Sequence, residues 1–406
     1  MLSASFLALL AVQFLGVVDD ALIRVLVVAA TEVLFPKRLH AAAVVLPTVC
    51  FLLPWILLSP AAGWAADRFS KPRVVVCCKA LELFCVIGFV IALDSRDVAS
   101  ICAVTFLFAV QLAICNPAKL GSIPDIVAPD RIPAANASIA LAMVAALILG
   151  TWYGGRLFDA TFPGADVAAV ERSLDGARLQ LPLFVFVGTA SLGLAAGFLL
   201  RRTPAANPSA SLPLNYFRSM WTDVRSLRLS RQLAIVVLTY AFYWSLGTLA
   251  QLAAIGYGTY ELKLNKTDSA PLLGMLAVGA AAGSVAADAW SAGLIELGLV
   301  PVGGMLFSLC CWAVLLVPGS YDVAAAALFG IGFAGGLVNV PLYSYIQCRS
   351  PASKRGSVLA ANNLVVFTGM LAATTAYYLL AAPDVFEKRR PLMTPRGVFL
   401  VAGWAS

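Results

Sequence analysis

Asp20 and Arg24 stand four residues apart in the run Gln13-Phe14-Leu15-Gly16-Val17-Val18-Asp19-Asp20-Ala21-Leu22-Ile23-Arg24, with apolar residues on both sides. On a helix that spacing puts both side chains on one face, where they can form an ion pair. A carboxylate held inside a hydrocarbon layer costs about 2.5–3.5 kcal/mol on insertion scales, so it turns toward a partner or a wet cavity. Two readings stand: a self-neutralised structural pair, or a charge site lining a water-filled path. Lys79 and Glu82 pose the same choice three residues apart. Lys79 is near enough to a loop to snorkel outward, and Glu82 faces either a cavity or a structural partner. Lys119 lies between Pro117 and Gly121, a spacing that predicts a helix break with freed carbonyls, tolerated in a membrane only against protein or a wet cavity. A cation at such a break is a seat for a phosphate, or else a lysine placed at a helix end by the charge rule for membrane loops. Later in the chain Gln251, Asn339 and Asn362 supply hydrogen-bonding groups where the first half supplies charge.

Other chemistry is absent. An acyltransferase needs a His-x-x-x-x-Asp pair, and the one histidine, His40, has Val45 at the required place. There is no Gly-x-Ser-x-Gly elbow and no phosphate-binding glycine loop ending in Lys-Ser/Thr. No catalytic residue, metal ligand set or cofactor is expected, and His40 reads as an interfacial residue between the first two spans. The nine cysteines lie mostly inside apolar runs without C-x-x-C spacing and read as small apolar packers.

The elements that position these groups follow from composition. The chain has 406 residues, 61% hydrophobic and 12% charged, with a mean hydropathy of +0.89; a soluble domain carries roughly 25% charged residues. It is read as an all-α membrane protein. Runs long enough to cross a hydrocarbon core of ~30 Å as helices fall near 5–31, 41–66, 73–94, 98–116, 134–154, 182–200, 233–255, 270–291, 296–317, 321–347 and 357–381. A twelfth opens at Val398 and is expected to be truncated at Ser406. The first run lacks a basic flank and carries Asp19-Asp20, which fits a retained helix better than a signal peptide.

Net charge is +7, and the excess sits where the positive-inside rule places it, so nucleic acid is not an expected partner. Arg68, Lys71, Arg73, Lys119, Arg131, Arg201, Arg202, Arg349, Lys354 and Arg355 fall in loops of one side, which makes the N-terminus cytoplasmic. Lys388, Arg389, Arg390 and Arg396 fall on the other side, against the rule. The chain also repeats itself. Asn-Pro-Ala-Lys at Asn116 leads past Arg131 to Ala-Ala-Asn136, and Asn-Val-Pro-Leu at Asn339 leads through Arg349, Lys354 and Arg355 to Ala-Ala-Asn362. Ala65-Ala66-Asp67-Arg68-Phe69-Ser70 is echoed by Ala286-Ala287-Asp288-Ala289-Trp290-Ser291, also about half a chain later. Two matches at about half the chain length argue for duplication. The expected domains are an N-terminal bundle over 1–200, a cytoplasmic linker over 201–232 and a C-terminal bundle over 233–406. Within the linker Leu214, Phe217, Trp221 and Val224 share a helical face, the pattern of a helix lying on a membrane surface.

Gly63 to Arg73, with Asp67, Arg68 and Lys71, resembles the loop signature between the second and third helices of the major facilitator superfamily. The ordered set Gln13-Phe14-Leu15-Gly16 with Asp20 and Arg24, Asp67 to Lys71, Pro117-Ala118-Lys119-x-Gly121, Ala135-Asn136, Trp244 to Gln251, Ile295 to Pro301, and Pro341-Leu342 through Gln347-x-Arg349-Ser350-Pro351 to Asn362-Asn363 resembles one branch of it. That branch comprises bacterial lysophospholipid transporters and the membrane halves of acyltransferase fusion proteins. The chain departs from it at Ala21, where the family has Asn, at Ala140, where relatives carry Glu, and at Gln251, where some carry Arg.

The resemblance implies the major facilitator fold: two six-helix bundles related by a pseudo-two-fold axis, in the bacterial inner membrane. It implies a gating role for Asp67, Arg68 and Lys71, and a lysophospholipid as substrate. Burying an acyl chain is worth about 0.8 kcal/mol per CH₂, so drawing a long one into water costs on the order of 10 kcal/mol. The tail is therefore expected to stay in membrane lipid while the head passes between rocking halves. Lys119 or Arg24 would take the phosphate, Asp20 or Glu82 the amine or a coupling cation, and Gln251, Asn339 and Asn362 would orient the head. An acyltransferase or acyl-ACP synthetase of the same pathway or polypeptide is the implied protein partner. Two alternatives remain open: a transporter or exporter of a small soluble solute or drug, and a non-transporting membrane module of an acyltransferase fusion.

Overall fold

The structure is a computed structural model that describes residues 3–34, 40–95, 97–161, 176–212, 215–227, 230–264, 266–291, 293–381 and 393–406. Its regular elements among these are helices throughout: α1 (Ala4–Leu34), α2 (His40–Leu57), α3 (Ser59–Arg68), α4 (Lys71–Ser95), α5 (Val98–Gly121), α6 (Ile123–Ile126), α7 (Ile132–Thr161), α8 (Gly176–Phe198), α9 (Tyr216–Ser226), α10 (Arg231–Tyr260), α11 (Lys266–Ser291), α12 (Leu299–Leu316), α13 (Tyr321–Arg349), α14 (Arg355–Leu380) and α15 (Pro395–Ala405), with short 3₁₀ turns at Pro129–Arg131 and Ala352–Lys354. Ten spans among the described residues are long and apolar enough to cross a membrane, and a bent pair of helices makes an eleventh. The chain is a multi-pass membrane protein. Lys388, Arg389, Arg390 and Leu214 lie outside the described residues, as do the side chains of His40 and Phe217.

One expected span is bent, and one expected break is only half formed. The run 41–66 is not one straight helix: α2 and α3 meet at Leu58 with a 55° bend. Pro60, in the first turn of α3, has no N–H to return to the preceding turn. The break expected at Pro117 and Gly121 occurs at Gly121 only, since α5 runs through Pro117 and ends at Gly121. Ser122 closes it, its N–H reaching the Ala118 carbonyl at 3.1 Å and its hydroxyl donating to the same oxygen at 2.7 Å. Gly121 also serves a close approach. A Cβ there would lie 3.4 Å from Leu359 Cδ1 and 3.5 Å from Lys71 Cε.

Contacts divide the chain into two compact units. The first comprises Met1–Val127, Ala145–Asp223 and Ser350–Asn363; the second comprises Ala128–Val144, Val224–Arg349 and Leu364–Ser406. In the first, α1, α4, α5 and α8 enclose a core of Leu22, Leu26, Phe89, Phe108 and Phe186. Phe89 and Phe186 meet edge to face at 6.0 Å. Asp97 caps α5, accepting from the Ser100 hydroxyl at 2.6 Å and the Ser100 N–H at 2.9 Å. Those bonds, the hydroxyl's first, hold its carboxyl below the usual carboxylate range. Residues after α8 also fold back on this unit: Asn207 N–H donates to the Asp67 carbonyl at 2.8 Å, and Trp64 Nε1 and Arg68 both donate to the Ala210 carbonyl.

In the second unit α11 and α13 pack backbone to backbone. Helices in lipid gain little from apolar burial against each other, so close packing at small residues holds them. Gly279 and Gly283 on α11 meet Gly332 and Gly336 on α13, each pair spaced one turn apart. A Cβ on Gly283 would run into the Phe333 carbonyl, and one on Gly332 into the Leu276 carbonyl. Tyr257, Phe307, Leu328, Ile331 and Phe399 fill the adjoining core.

Candidate substrate site

Helical phase decides which charges of the first unit face inward. On α1 the buried positions Phe6, Leu9, Val12, Ile23 and Leu26 recur at three- and four-residue steps. Gly16 and Asp19 fall on that stripe. Asp19, not Asp20, is therefore the fully buried carboxylate. It accepts from the Thr189 hydroxyl of α8. Asp20 pairs instead with Arg24, whose side chain is 53% exposed and lies over the Phe51 ring at 4.4 Å. The pair foreseen from sequence is formed, on the helix's own face.

Lys79 does not snorkel. Its side chain is 1% exposed and its Nζ lies 2.8 Å from Glu82 Oε1, which is equally buried. Glycines make the room: a Cβ on Gly16 of α1 would lie 2.8 Å from Lys79 Nζ, and one on Gly193 of α8 would lie 3.4 Å away. Burying the ammonium is tolerated because a carboxylate accompanies it. Lys119 completes the cluster from α5, buried and within electrostatic reach of Lys79, Glu82, Cys78 and Cys115. It forms no ion pair among the described residues. Cys78 and Cys115 touch thiol to thiol, and all nine cysteines are free. Gln111, also buried, leaves both amide atoms without a partner.

Gln251 and Asn339 line a cavity of about 300 Å³ contained in the second unit. Tyr240, Tyr243, Trp244, Leu276 and Phe307 give it apolar walls. Gly247 and Gly335 keep it open, since a Cβ on either would meet nothing within 4 Å. Ala140 is also in its lining. Asn362 is not: it groups with the first unit, fully buried, with neither amide atom hydrogen-bonded.

The three residues assigned to gating sit together at the ends of α3 and α4. Asp67 accepts from the N–H groups of Gly356 and Ser357 and from the Ser357 hydroxyl. Lys71, 4% exposed, pairs with Asp125, which also takes Arg355 at 2.9 Å. In the second unit Asp288, the echo of Asp67, lies within electrostatic reach of Arg131 just before α7. Asn136 there donates to Ser344 and Gln347, both at 2.8 Å.

Comparison with known proteins identifies the scaffold. The profile of the Major Facilitator Superfamily matches residues 2–374. The chain belongs to this superfamily. Solved members share the major facilitator fold with it. The transporter FucP, crystallised in an outward conformation, superposes with a TM-score of 0.76 at 14% identity, covering 98% of this chain and 96% of that one. A bacterial homologue of the iron transporter ferroportin gives 0.73 at 18% identity, over 100% of this chain and 98% of that one. At such identities the likeness shows the fold alone. Among curated relatives, the lysophospholipid transporter LplT of Cronobacter sakazakii is 28% identical over 386 residues, 93% of this chain and 89% of that protein. Its namesake in Yersinia pestis is 25% identical over 392 residues, 95% of this chain and 89% of that protein.

Asp19, Thr189, Asp125 and the aromatic walls of the cavity were not singled out from sequence. The signal for Asp19 was present in the phase of α1. That for Thr189 and Asp125 was not, because each acquires its partner from a distant stretch of chain.

Proposed function

We propose that this superfamily member is a secondary transporter that moves lysophospholipids across the bacterial inner membrane by alternating access, with its N-terminus in the cytoplasm. The observation that carries the reading is Lys119: a buried cation in the last turn of α5 without a carboxylate of its own, suited to a phosphate. The name and full-length match of the curated relatives point the same way. Asp20, Arg24 and Glu82 supply further charge for a polar head, while Gln251 and Asn339 offer hydrogen bonds in a mainly apolar cavity, a surrounding that suits lipid better than a sugar or other polar solute. Asn362, an unpaired amide, orients the head. The halves 1–200 and 233–406 rock about the site, joined by 201–232. Asp67, Arg68 and Lys71 hold one state closed, Asp67 through the start of α14, Lys71 through Asp125 and Arg68 through the Ala210 carbonyl. An acyltransferase or acyl-ACP synthetase that consumes the lysolipid is the proposed partner.

A head-group transfer assay in proteoliposomes tests this. Neutralising Asp20 and Lys119 together abolishes transfer of a lysophospholipid; unchanged transfer defeats the assignment.

A further inference from the structure

Asp19 and Glu82 are two buried carboxylates with one oxygen each accounted for. Thr189 donates to Asp19 Oδ1, and Lys79 donates to Glu82 Oε1 at 2.8 Å. The other two oxygens, Asp19 Oδ2 and Glu82 Oε2, are buried with no donor facing them. Helix geometry brings the two groups to one level. Lys79 Nζ nests between Gly16 and Gly193; Asp19 stands one turn beyond Gly16, Thr189 one turn from Gly193, and Glu82 one turn beyond Lys79. The Asp19 and Glu82 carboxyls accordingly lie within hydrogen-bonding reach of each other.

Two ionised carboxylates cannot hydrogen-bond, because both only accept, and like charges at that distance do not both persist away from water. We propose that Asp19 Oδ2 and Glu82 Oε2 share one proton, taken from solvent, and that this proton leaves Lys119 as the uncompensated cation of the cluster. The charge count is simple. With the proton in place the carboxyl pair carries one negative charge, which Lys79 balances, and Lys119 is free to bind an anion. Without it the two carboxylates balance both lysines, and an anion gains nothing by entering. Proton and anion therefore bind with mutual reinforcement.

The surrounding groups agree with this count. From α4 the pair is faced by Lys79 and Cys85; from α5 by Cys115 and Lys119; from α8 by Thr189; Cys78 of α4 lies against Cys115 and Lys119. The described side chains of α2 bring no charged group, and α3 brings Asp67 and Arg68, both bonded elsewhere. On α1 itself Asp20 and Arg24 neutralise each other, and at α6 Asp125 is taken by Lys71 and Arg355. The identity of the anion as a lysophospholipid phosphate rests on the function proposed above; the shared proton does not.

The test has two arms on the full chain in lipid nanodiscs. Infrared spectroscopy of the wild type at neutral pH should show the carbonyl stretch of a protonated carboxylic acid that Asp19→Asn removes; its absence from the wild type overturns the proposal without requiring any variant to fold. Equilibrium binding of lysophosphatidylglycerol should weaken about tenfold from mildly acidic to alkaline pH in the wild type. In Asp19→Asn, where the amide stands for the protonated acid, affinity should stay at the acidic value throughout. Wild-type affinity that ignores pH, or a variant that follows the wild-type curve, also overturns it. If the infrared band is present and the lipid binds at no pH, the lysophospholipid reading fails while the proton site stands.

Discussion

The carboxylate of Asp67, at the end of α3, receives the Gly356 N–H at 2.7 Å and so caps a helix that begins almost three hundred residues later in the chain. Ser357 adds its N–H at 2.9 Å and its hydroxyl at 2.6 Å. A carboxylate at a helix N-terminus satisfies otherwise orphaned donors and meets the positive end of the helix dipole. Asp67→Ala leaves those donors buried and unpaired, at a cost of about 1–3 kcal/mol. Thermal unfolding in detergent should show the loss, and Asp67→Asn, which keeps an acceptor oxygen, should lose less.

Gly356→Ala tests the same contact from the other side. The added methyl would lie 2.7 Å from both Ala66 Cβ and Asp67 Oδ1. Transfer rates in proteoliposomes should fall as far as in Asp67→Ala. Normal rates would mean that this contact does not govern the transport cycle.

Lys79 and Glu82 should behave asymmetrically on mutation. Glu82→Ala takes from the Lys79 ammonium its hydrogen-bonded carboxylate and leaves only Asp19 to balance it, at a cost of about 3–5 kcal/mol, whereas Lys79→Met with Glu82→Leu removes both partners and costs much less. Comparison of unfolding midpoints for the single and double variants checks this. Equal losses would show that the ion pair is not the issue.

The backbone contact between α11 and α13 admits no side chain at Gly283 or Gly332. Gly283→Ala and Gly332→Ala should each destabilise by about 1–3 kcal/mol or more, visible as poor recovery of folded protein. Gly335, on α13 but open to the cavity, gives the contrast. Gly335→Leu should leave the unfolding midpoint unchanged and slow lipid transfer by filling the space.

Lys119→Met isolates the proposed phosphate contact. Hydrogen bonds to a charged group contribute about 1.5–3 kcal/mol, so lysophospholipid affinity should drop by roughly ten- to a hundredfold. Lys119→Arg should recover part of it.

Much of the scaffold was legible in the sequence because a bilayer imposes few solutions: every backbone polar group must be satisfied within the span, so apolar runs read directly as helices. The Asp20–Arg24 pair is one of the two arrangements that its spacing allows, whereas for Glu82 spacing leaves a cavity and a structural partner equally open, and only the structure shows it buried against Lys79. What escaped was set by neighbours. Lys79 looked free to snorkel, since only the structure shows Gly16 and Gly193 leaving space for its head. Pro117 looked like a break because sequence does not show Ser122 closing the helix five residues on. Asp19 was passed over beside Asp20, and only the registry of α1 against α4 and α8 distinguishes them. Asn362 was grouped with Gln251 and Asn339 by type, yet it does not line their cavity.

The bonds from Asn207 to the Asp67 carbonyl and from Trp64 and Arg68 to Ala210 mean that the polypeptide leaving α8 is moored before it sets out for α10. A chimera that exchanges one half for that of a homologue must carry residues 201–212 with the first half. The splice belongs after Leu212; a junction at Arg201 would cut the mooring and leave the underside of α3 with donors reaching for nothing.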